Sequence, residues 1–594
     1  MFNDTFQSLS FEFSKNLSFQ PCYRDFQCAR LQLPLDYWNG TNPNETVSLA
    51  ILKIPARVPV SDTRYGGPIL INPGGPGESG TAWARKAGLM LQTLVDSAED
   101  PAVCAQLDSK AKYYDIIGFD PRGVGETTPS ASCSLDELSE NYWLQDDYYE
   151  GSNTTLRRLW AINQDVGSAC SHSSKAGDDI KKYLTAASVA RDMLEIVEKH
   201  AEWKANETLR ISNETDAAHV PYVNGTAKLQ YWGISYGTFL GSTFASMYPS
   251  RVGRLILDGV VDAEDYLQTL WIDNLNDTEK AMAHFYTTCA TAGPEKCGLA
   301  ATNATAADVE KRVAAIVDSV YHEPLVVSIG DGFRSKYITD REVRDVLFMM
   351  LYQPLDRFSR VADSMAALLR RDGHRDGTLF ARVSNSFKPV FWKSAVEQQE
   401  AATVYRAIRC SDGDSVTKMS FNDFEAYADE LMALSPFGGA FVAEMSLGCP
   451  AMTYRPLYRF RGPMGGNTSR PILWIGNTAD PISPLKNAFK MASLFEGSVA
   501  LTQNSTGHGS YTALSFCTLG HIRAYLHKGV LPPPDTVCQP DELPFGVVLP
   551  LSSAEMSELL PLHEIEHKER KEARKNLRQA QRKLSGSRLS DPED

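Results

Sequence analysis

The sequence predicts an α/β fold: a mostly parallel sheet flanked by helices, with a large, mainly helical cap inserted before the last core strands. Three observations predict it. Strand-like and helix-like runs alternate from Thr46 to Val260, the pattern of a parallel sheet buried between helices. Between Asp262 and about Gly465 the chain turns to amphipathic helices with few strand signals. Two apolar runs, around Leu473 and Val499, then return to strand character. With 594 residues and 43% hydrophobic content, the chain can bury a large core and exceeds one ordinary domain.

Taken in order, Thr46 to Ile54, Ile69 to Asn72 and Tyr114 to Phe119 read as strands. A helix follows around Thr185 to His200, where Val189, Met193, Ile196 and Val197 recur at helical spacing. That stripe is a core face, and no cofactor is needed to explain it. Leu229 to Trp232 reads as a strand leading into a helix over Thr238 to Tyr248, and Leu255 to Leu257 as the next strand. Asp340 to Leu351 and Phe358 to Leu369 are the clearest cap helices. Arg470 to Gly476 and Ser498 to Thr502 complete the sheet. The organisation expected is a first core part at 1–261, a cap at 262–465, a second core part at 466–548 and a charged tail at 549–594. The tail is dense in Glu, Lys and Arg from Glu564 to Lys583, and its simplest reading is a solvated helix or disordered segment, with binding to an anionic partner as the alternative.

The chemistry is carried by Gly233-Ile234-Ser235-Tyr236-Gly237, a G-x-S-x-G between an apolar strand and a helix. A serine on such a turn presents its hydroxyl above the sheet edge, and the glycines let the turn lie close to its neighbours. Acyl transfer in this order of motifs needs an acid and a histidine downstream. Asp480 follows the strand around Leu473, and His508 lies 28 residues further on, between Gly507 and Gly509. A histidine between two glycines at a loop tip is poorly suited to core packing, whereas His284, His322 and His521 lie in helix-like surroundings. Ser235, Asp480 and His508 are therefore the expected triad.

An earlier strand runs into Pro73-Gly74-Gly75-Pro76-Gly77-Glu78-Ser79-Gly80. Glycines there bare main-chain N–H groups, which can stabilise a developing oxyanion together with the N–H after the nucleophile. The loop matches neither G-x-x-x-x-G-K-[ST] nor G-x-G-x-x-G, so a phosphate cradle is set aside. Glu78 has two readings: a counter-charge for a substrate ammonium, or a carboxylate favoured at the first turn of the helix that follows. Asp120 and Arg122, in an Asp-Pro-Arg-Gly turn, are given no catalytic role, since a mutual structural ion pair explains them as well as a place near the active site does.

At this point the chain resembles the α/β-hydrolase serine peptidases of the prolyl and tripeptidyl aminopeptidase type, with their tripeptidyl-aminopeptidase-like carboxyl-terminal region. The likeness rests on Cys28 to Tyr37, the Gly74 to Gly77 loop, Asp115 to Gly125, Tyr183 to Thr185, Arg191-Asp192, the Ser235 motif, Arg251 to Val260 and Pro471 to His508. It implies that Gly75 and Tyr236 supply the oxyanion N–H groups and that the substrate is a short peptide cleaved from its free amino end. Glu78 departs from the family's usual small residue. Two alternatives stay open: a carboxylic esterase or lipase with the same triad, and a non-catalytic binding protein on a hydrolase scaffold.

Eleven cysteines and a dozen N-x-[ST] sequons, among them Asn39, Asn44, Asn206, Asn224, Asn303 and Asn504, predict a secretory or extracellular protein with disulfides. The spacing suggests Cys22–Cys28, Cys289–Cys297, Cys410–Cys449 and Cys517–Cys538, with Cys104, Cys133 and Cys170 left over. No cysteine has a convincing metal spacing or partner histidine, so neither metal nor cofactor is expected. The first residues lack a signal peptide's charged start and apolar stretch, which places the expected secretory start upstream of Met1. No apolar run is long enough to span a membrane, and a formal charge of −14 gives no case for nucleic acid. The sequence sets no oligomeric state.

Overall fold

The computed structural model describes residues 14–23, 25–38, 45–97, 101, 110–131, 153–172, 180–211, 222–329, 334–370, 374–387 and 395–548. A sheet of ten strands forms the centre, in the order β1-β2-β3-β5-β4-β6-β7-β10-β11-β12. The strands are β1 (Gln20–Cys22), β2 (Phe26–Pro34), β3 (Thr46–Ile54), β4 (Tyr65–Asn72), β5 (Tyr113–Phe119), β6 (Leu229–Ile234), β7 (Val252–Asp258), β10 (Leu473–Ala479), β11 (Val499–Thr506) and β12 (Val537–Cys538). From β5 to β12 every pairing is parallel, whereas β1, β2 and β3 pair antiparallel at one edge.

The parallel strands are buried on both faces, which is why they are continuous apolar runs rather than alternating ones. All seven residues of β5 are buried. Successive side chains enter opposite layers. Leu70, Ile117 and Leu257 face the layer formed by the helices Ala186–Ile211, Tyr236–Met247 and Leu485–Ser493. Ile69, Ile71, Ile116 and Ile256 face the layer of Gly80–Val95 and Phe516–Lys528. The predicted stripe of Val189, Met193, Ile196 and Val197 lies in the first layer, each at most 3% exposed. The helix carrying it runs on to Ile211, past the expected end at His200.

Strand order reverses between β4 and β6: the chain leaves β4 toward β5 on one side and leaves β6 toward β7 on the other. Their carboxyl ends therefore diverge into a crevice, where ligands bind in open α/β sheets. The Gly74–Gly75 loop follows β4, and Ser235 follows β6.

Between β7 and β10 the chain is mainly helical, including Thr278–Ala292, Ala306–His322, Asp340–Met350, Pro354–Arg370, Ala395–Asp412, Phe421–Leu434 and Gly439–Ser446. Thr305 with Asp308, and Ser420 with Asp423, form capping boxes that start two of these helices. The helices close over a second hydrophobic cluster, which includes Phe285, Leu347, Phe358 and Leu431. Two features depart from the sequence reading. A hairpin of β8 (Leu325–Ile329) and β9 (Arg334–Ile338) lies among the cap helices. Leu156, from the helix Asn153–His172 in the stretch assigned to the core, packs into the cap cluster instead.

Cys22–Cys28, Cys289–Cys297, Cys410–Cys449 and Cys517–Cys538 are disulfides. Cys170, expected among the leftover cysteines, is also disulfide-bonded. Cys104, Cys133, Asn39, Asn44 and the charged tail lie outside the described residues. No helix among the described residues is long and apolar enough to cross a membrane.

Candidate active site

Ser235 sits between the end of β6 and the helix Tyr236–Met247, at φ 56° and ψ −126°. That backbone is sparsely populated for a residue with a side chain and costs about 1–3 kcal/mol. Its surroundings over-determine it. A Cβ on Gly233 would lie 2.4 Å from the Gly237 carbonyl oxygen, and one on Gly237 would lie 2.8 Å from that of Asn72. The Ser235 N–H donates to the Asp258 carbonyl at the end of β7 (3.1 Å). Its hydroxyl makes no hydrogen bond among the described residues.

Asp480 and His508 are in direct contact. His508 Nδ1 lies 3.0 and 3.1 Å from the two Asp480 oxygens. The same carboxylate accepts N–H bonds from Ile482, Ser483 and Gly509 at 2.9–3.0 Å. Asp480 is fully buried and His508 only 6% exposed. A carboxylate held by three backbone donors fixes the imidazole as the tautomer with hydrogen on Nδ1, leaving Nε2 to accept a proton. The Ser483 hydroxyl lies 3.0 Å from the same Nδ1, a contact the sequence reading missed although Ser483 stands three residues after Asp480. Tyr352 of the cap packs edge-on against the imidazole at 5.2 Å and accepts the His508 N–H on its carbonyl (3.1 Å).

Asp258 links the two halves. Its carbonyl takes the Ser235 N–H, while its carboxylate accepts from the Ser510 N–H (2.8 Å) and hydroxyl (2.6 Å). A Cβ on the adjoining Gly259 would lie 3.3 Å from the Gly509 nitrogen. Ser235 and the His508 loop are thus bound to opposite ends of one residue, with no direct Ser235–His508 hydrogen bond formed. Burial raises the Asp258 carboxyl to about 6.

The Gly74 loop closes the other side. A Cβ on Gly74 would lie 2.8 Å from Ser235 Cβ and 3.1 Å from the Tyr236 nitrogen. The Gly74 N–H is taken by Asn72 Oδ1 (3.0 Å), whereas those of Gly75 and Tyr236 have no acceptor among the described residues. Glu78 lies before Ser79, the N-cap of Gly80–Val95, and so outside that helix's first turn. Ser79 and Thr81 are instead held by Asp120, through bonds of 2.7–3.0 Å. The half-buried Glu78 carboxyl is raised by desolvation, which the Lys86 cation opposes. Burial lowers Arg357, which faces Tyr352 and Tyr511, to about 10.

The expected Asp120–Arg122 pair is not formed. Arg122 bonds Asp192 on the helix Ala186–Ile211 (2.6 and 2.8 Å), and both side chains are fully buried. Each buried charge takes the partner that satisfies it. Asp120 takes the helix start beside it, and the guanidinium takes a carboxylate 70 residues away. His521 corrects another expectation, since its ligand atom lies within 4.8 Å of the sulfurs of Cys517 and Cys538. Those sulfurs are bonded to each other, so neither is the thiolate a metal requires.

Comparison with known proteins bears on the fold and the class of enzyme. Residues 67–292 match the family model described as alpha/beta hydrolase fold, and residues 435–538 match the one described as TAP-like protein. Serine protease Hip1 of Mycobacterium tuberculosis is 26% identical over 518 residues, covering 86% of this chain and 87% of its own. The chain has the α/β-hydrolase fold and is similar to serine peptidases over most of its length. A second relative of this α/β-hydrolase is the tripeptidyl aminopeptidase of Streptomyces coelicolor, 22% identical over 531 residues, covering 88% of this chain and 84% of its own. Carboxylesterase B of Mycobacterium tuberculosis is 29% identical over 171 residues, or 29% of this chain and 28% of its own. As a serine hydrolase of the peptidase kind, the enzyme places its strained serine and its His508–Asp480 pair at one rim of the sheet.

Proposed function

We propose that this α/β-hydrolase is an aminopeptidase that removes short peptides from the free amino end of its substrates, with Ser235, His508 and Asp480 as catalytic residues. The observation that carries the reading is the buried His508–Asp480 contact, whose free Nε2 belongs to a loop tied through Asp258 to the strained Ser235. His508 Nε2 takes the Ser235 proton as Oγ forms a bond to the scissile carbonyl carbon. The carbonyl oxygen becomes an oxyanion, held by the N–H groups of Gly75 and Tyr236. Collapse breaks the C–N bond, and His508 returns the proton to the leaving amine. Water then attacks the acyl-enzyme by the same route and regenerates Ser235.

The two relatives that align over most of the chain are named a protease and a tripeptidyl aminopeptidase, which favours peptide over ester substrates. We assign residues 262–465 as the cap that shapes the cleft, between core parts at 1–261 and 466–548. Glu78, with its desolvated carboxyl next to the oxyanion loop, is the candidate counter-charge for the substrate ammonium. The disulfides and exposed sequon residues such as Asn224, Asn303 and Asn504 support an oxidising, extracellular setting.

Ser235→Ala is expected to lower kcat on the order of a million-fold and to abolish fluorophosphonate labelling while the chain stays folded. Turnover retained in that variant excludes the triad. Tripeptidyl anilides compared with their N-blocked forms test the aminopeptidase reading, and loss of cleavage on blocking supports it. Indifference to blocking, with turnover of simple acyl esters, selects the esterase reading that the carboxylesterase relative represents.

A further inference from the structure

We propose that Asp412, at the end of the cap helix Ala395–Asp412, is a positioning residue that holds Tyr236 so that its N–H faces the oxyanion. The inference rests on the acyl-transfer reading above and adds a residue that touches neither substrate nor reacting atoms.

Tyr236 is the first residue after the nucleophile, and its ring is buried at 4% exposure. Its hydroxyl reaches across from the sheet's helix layer and donates to Asp412 Oδ2 at 2.9 Å. Asp412 is 3% exposed, and Oδ1 accepts the N–H of Ala186, the first residue of the helix Ala186–Ile211, at 2.7 Å. The Tyr266 hydroxyl makes a longer contact of 3.4 Å to the same Oδ2. One carboxylate thus gathers the nucleophile's neighbour, the start of a core helix and the entry to the cap.

The far end of the tether is rigid. The main-chain carbonyls of Cys410, Asp412 and Gly413 accept from Arg455 and Arg459 at 3.0, 3.1 and 2.8 Å. The Cys410–Cys449 disulfide lies two residues from Asp412. These bonds satisfy carbonyls that a helix leaves open at its carboxyl end.

The near end is strained. With φ of 56° at Ser235, relaxation toward an ordinary backbone conformation would rotate the Ser235–Tyr236 peptide and turn its N–H away from the crevice. A side chain anchored at its tip opposes that rotation, because Cα and Cβ of Tyr236 cannot follow. The catalytic peptide unit is thereby set from the cap, 176 residues away in sequence.

The test uses the full chain, steady-state kinetics on a tripeptidyl anilide, and the rate of fluorophosphonate labelling, in which the phosphoryl oxygen occupies the oxyanion site. Tyr236→Phe, which keeps the N–H and removes only the tether, is expected to lower kcat about ten-fold, a fraction of what losing an oxyanion donor costs. KM should stay within about two-fold, and labelling should slow in parallel. Asp412→Asn is expected to behave likewise. The double variant should lose no more than the worse single one, because both changes cut one connection. Tyr266→Phe should retain kcat within about two-fold.

Unchanged kcat in Tyr236→Phe, additive losses in the double variant, or an equal loss in Tyr266→Phe overturns the proposal. If Asp412→Asn does not fold, Tyr236→Phe and Tyr266→Phe alone decide. A wild-type chain that the probe does not label removes the acyl-transfer reading itself, and the proposal with it.

Discussion

At the scale of single residues, the elbow works because several backbones approach too closely for side chains. Gly74 stands at φ 102°, where a Cβ would lie 2.6 Å from the Ile234 carbonyl oxygen and 2.8 Å from Ser235 Cβ. Gly74→Ala must therefore push this loop, proposed to bind the oxyanion, away from Ser235. We expect kcat to fall at least about 100-fold, the lower range for losing one oxyanion donor. Gly225 provides the comparison, since its φ is 86° and nothing lies within 4 Å of its would-be Cβ. Gly225→Ala should cost on the order of 1 kcal/mol of stability through backbone strain alone and leave kcat unchanged. Anilide kinetics with denaturant midpoints on both variants separate the two effects, and equal kcat in both would remove the close-contact argument. The residues that make these contacts were legible because glycine spacing and chain order encode them locally. The partners of Arg122 were not legible: Asp120 is the nearest carboxylate in sequence, but Asp192 is the one the fold brings to the guanidinium.

At the scale of elements, the strands and long helices followed from apolar periodicity, and their errors lie where tertiary packing overrides it. The helix Ala186–Ile211 runs eleven residues past His200, beyond the stripe that identified it. The β8–β9 hairpin pairs with nothing in the main sheet, so no parallel-strand pattern announced it. Four disulfides were legible from cysteine spacing, at separations of 6, 8, 39 and 21 residues, and the last of them lies in the segment after His508. Cys517 is the second residue of the helix Phe516–Lys528, and Cys538 ends β12 on the sheet edge beside β11. The bridge closes a loop of 21 residues. Replacing both cysteines with serine is expected to cost about 2–5 kcal/mol, read as a lower urea midpoint with an unchanged slope. Catalysis below the transition should persist, because Asp480, not the bridge, fixes the imidazole.

At the scale of the whole molecule, acids in separate parts of the fold are desolvated by the elements that close over them. Desolvation raises Asp412 and Asp345 to about 7 and Asp258, Asp96 and Asp265 to about 6. No sequence pattern revealed this, since burial of an acid depends on which elements close over it. A carboxyl raised from 3.8 to about 7 on folding binds its proton more tightly in the native chain than in the unfolded one. Its native state is thus progressively disfavoured as pH rises between those values, by up to about 1.36 kcal/mol per pH unit. Burial lowers His200, His284 and His527 and acts in the opposite direction, so the wild-type profile alone mixes both contributions. Asp412→Asn isolates one, because an amide does not titrate while the histidines are unchanged. Denaturant midpoints measured from pH 4.5 to 7.5 should show wild type losing stability relative to Asp412→Asn as pH rises. A difference that stays flat across that range would mean the carboxylate is as well solvated by its three donors as it is by water, and that the cap closes over Asp412 without an electrostatic cost.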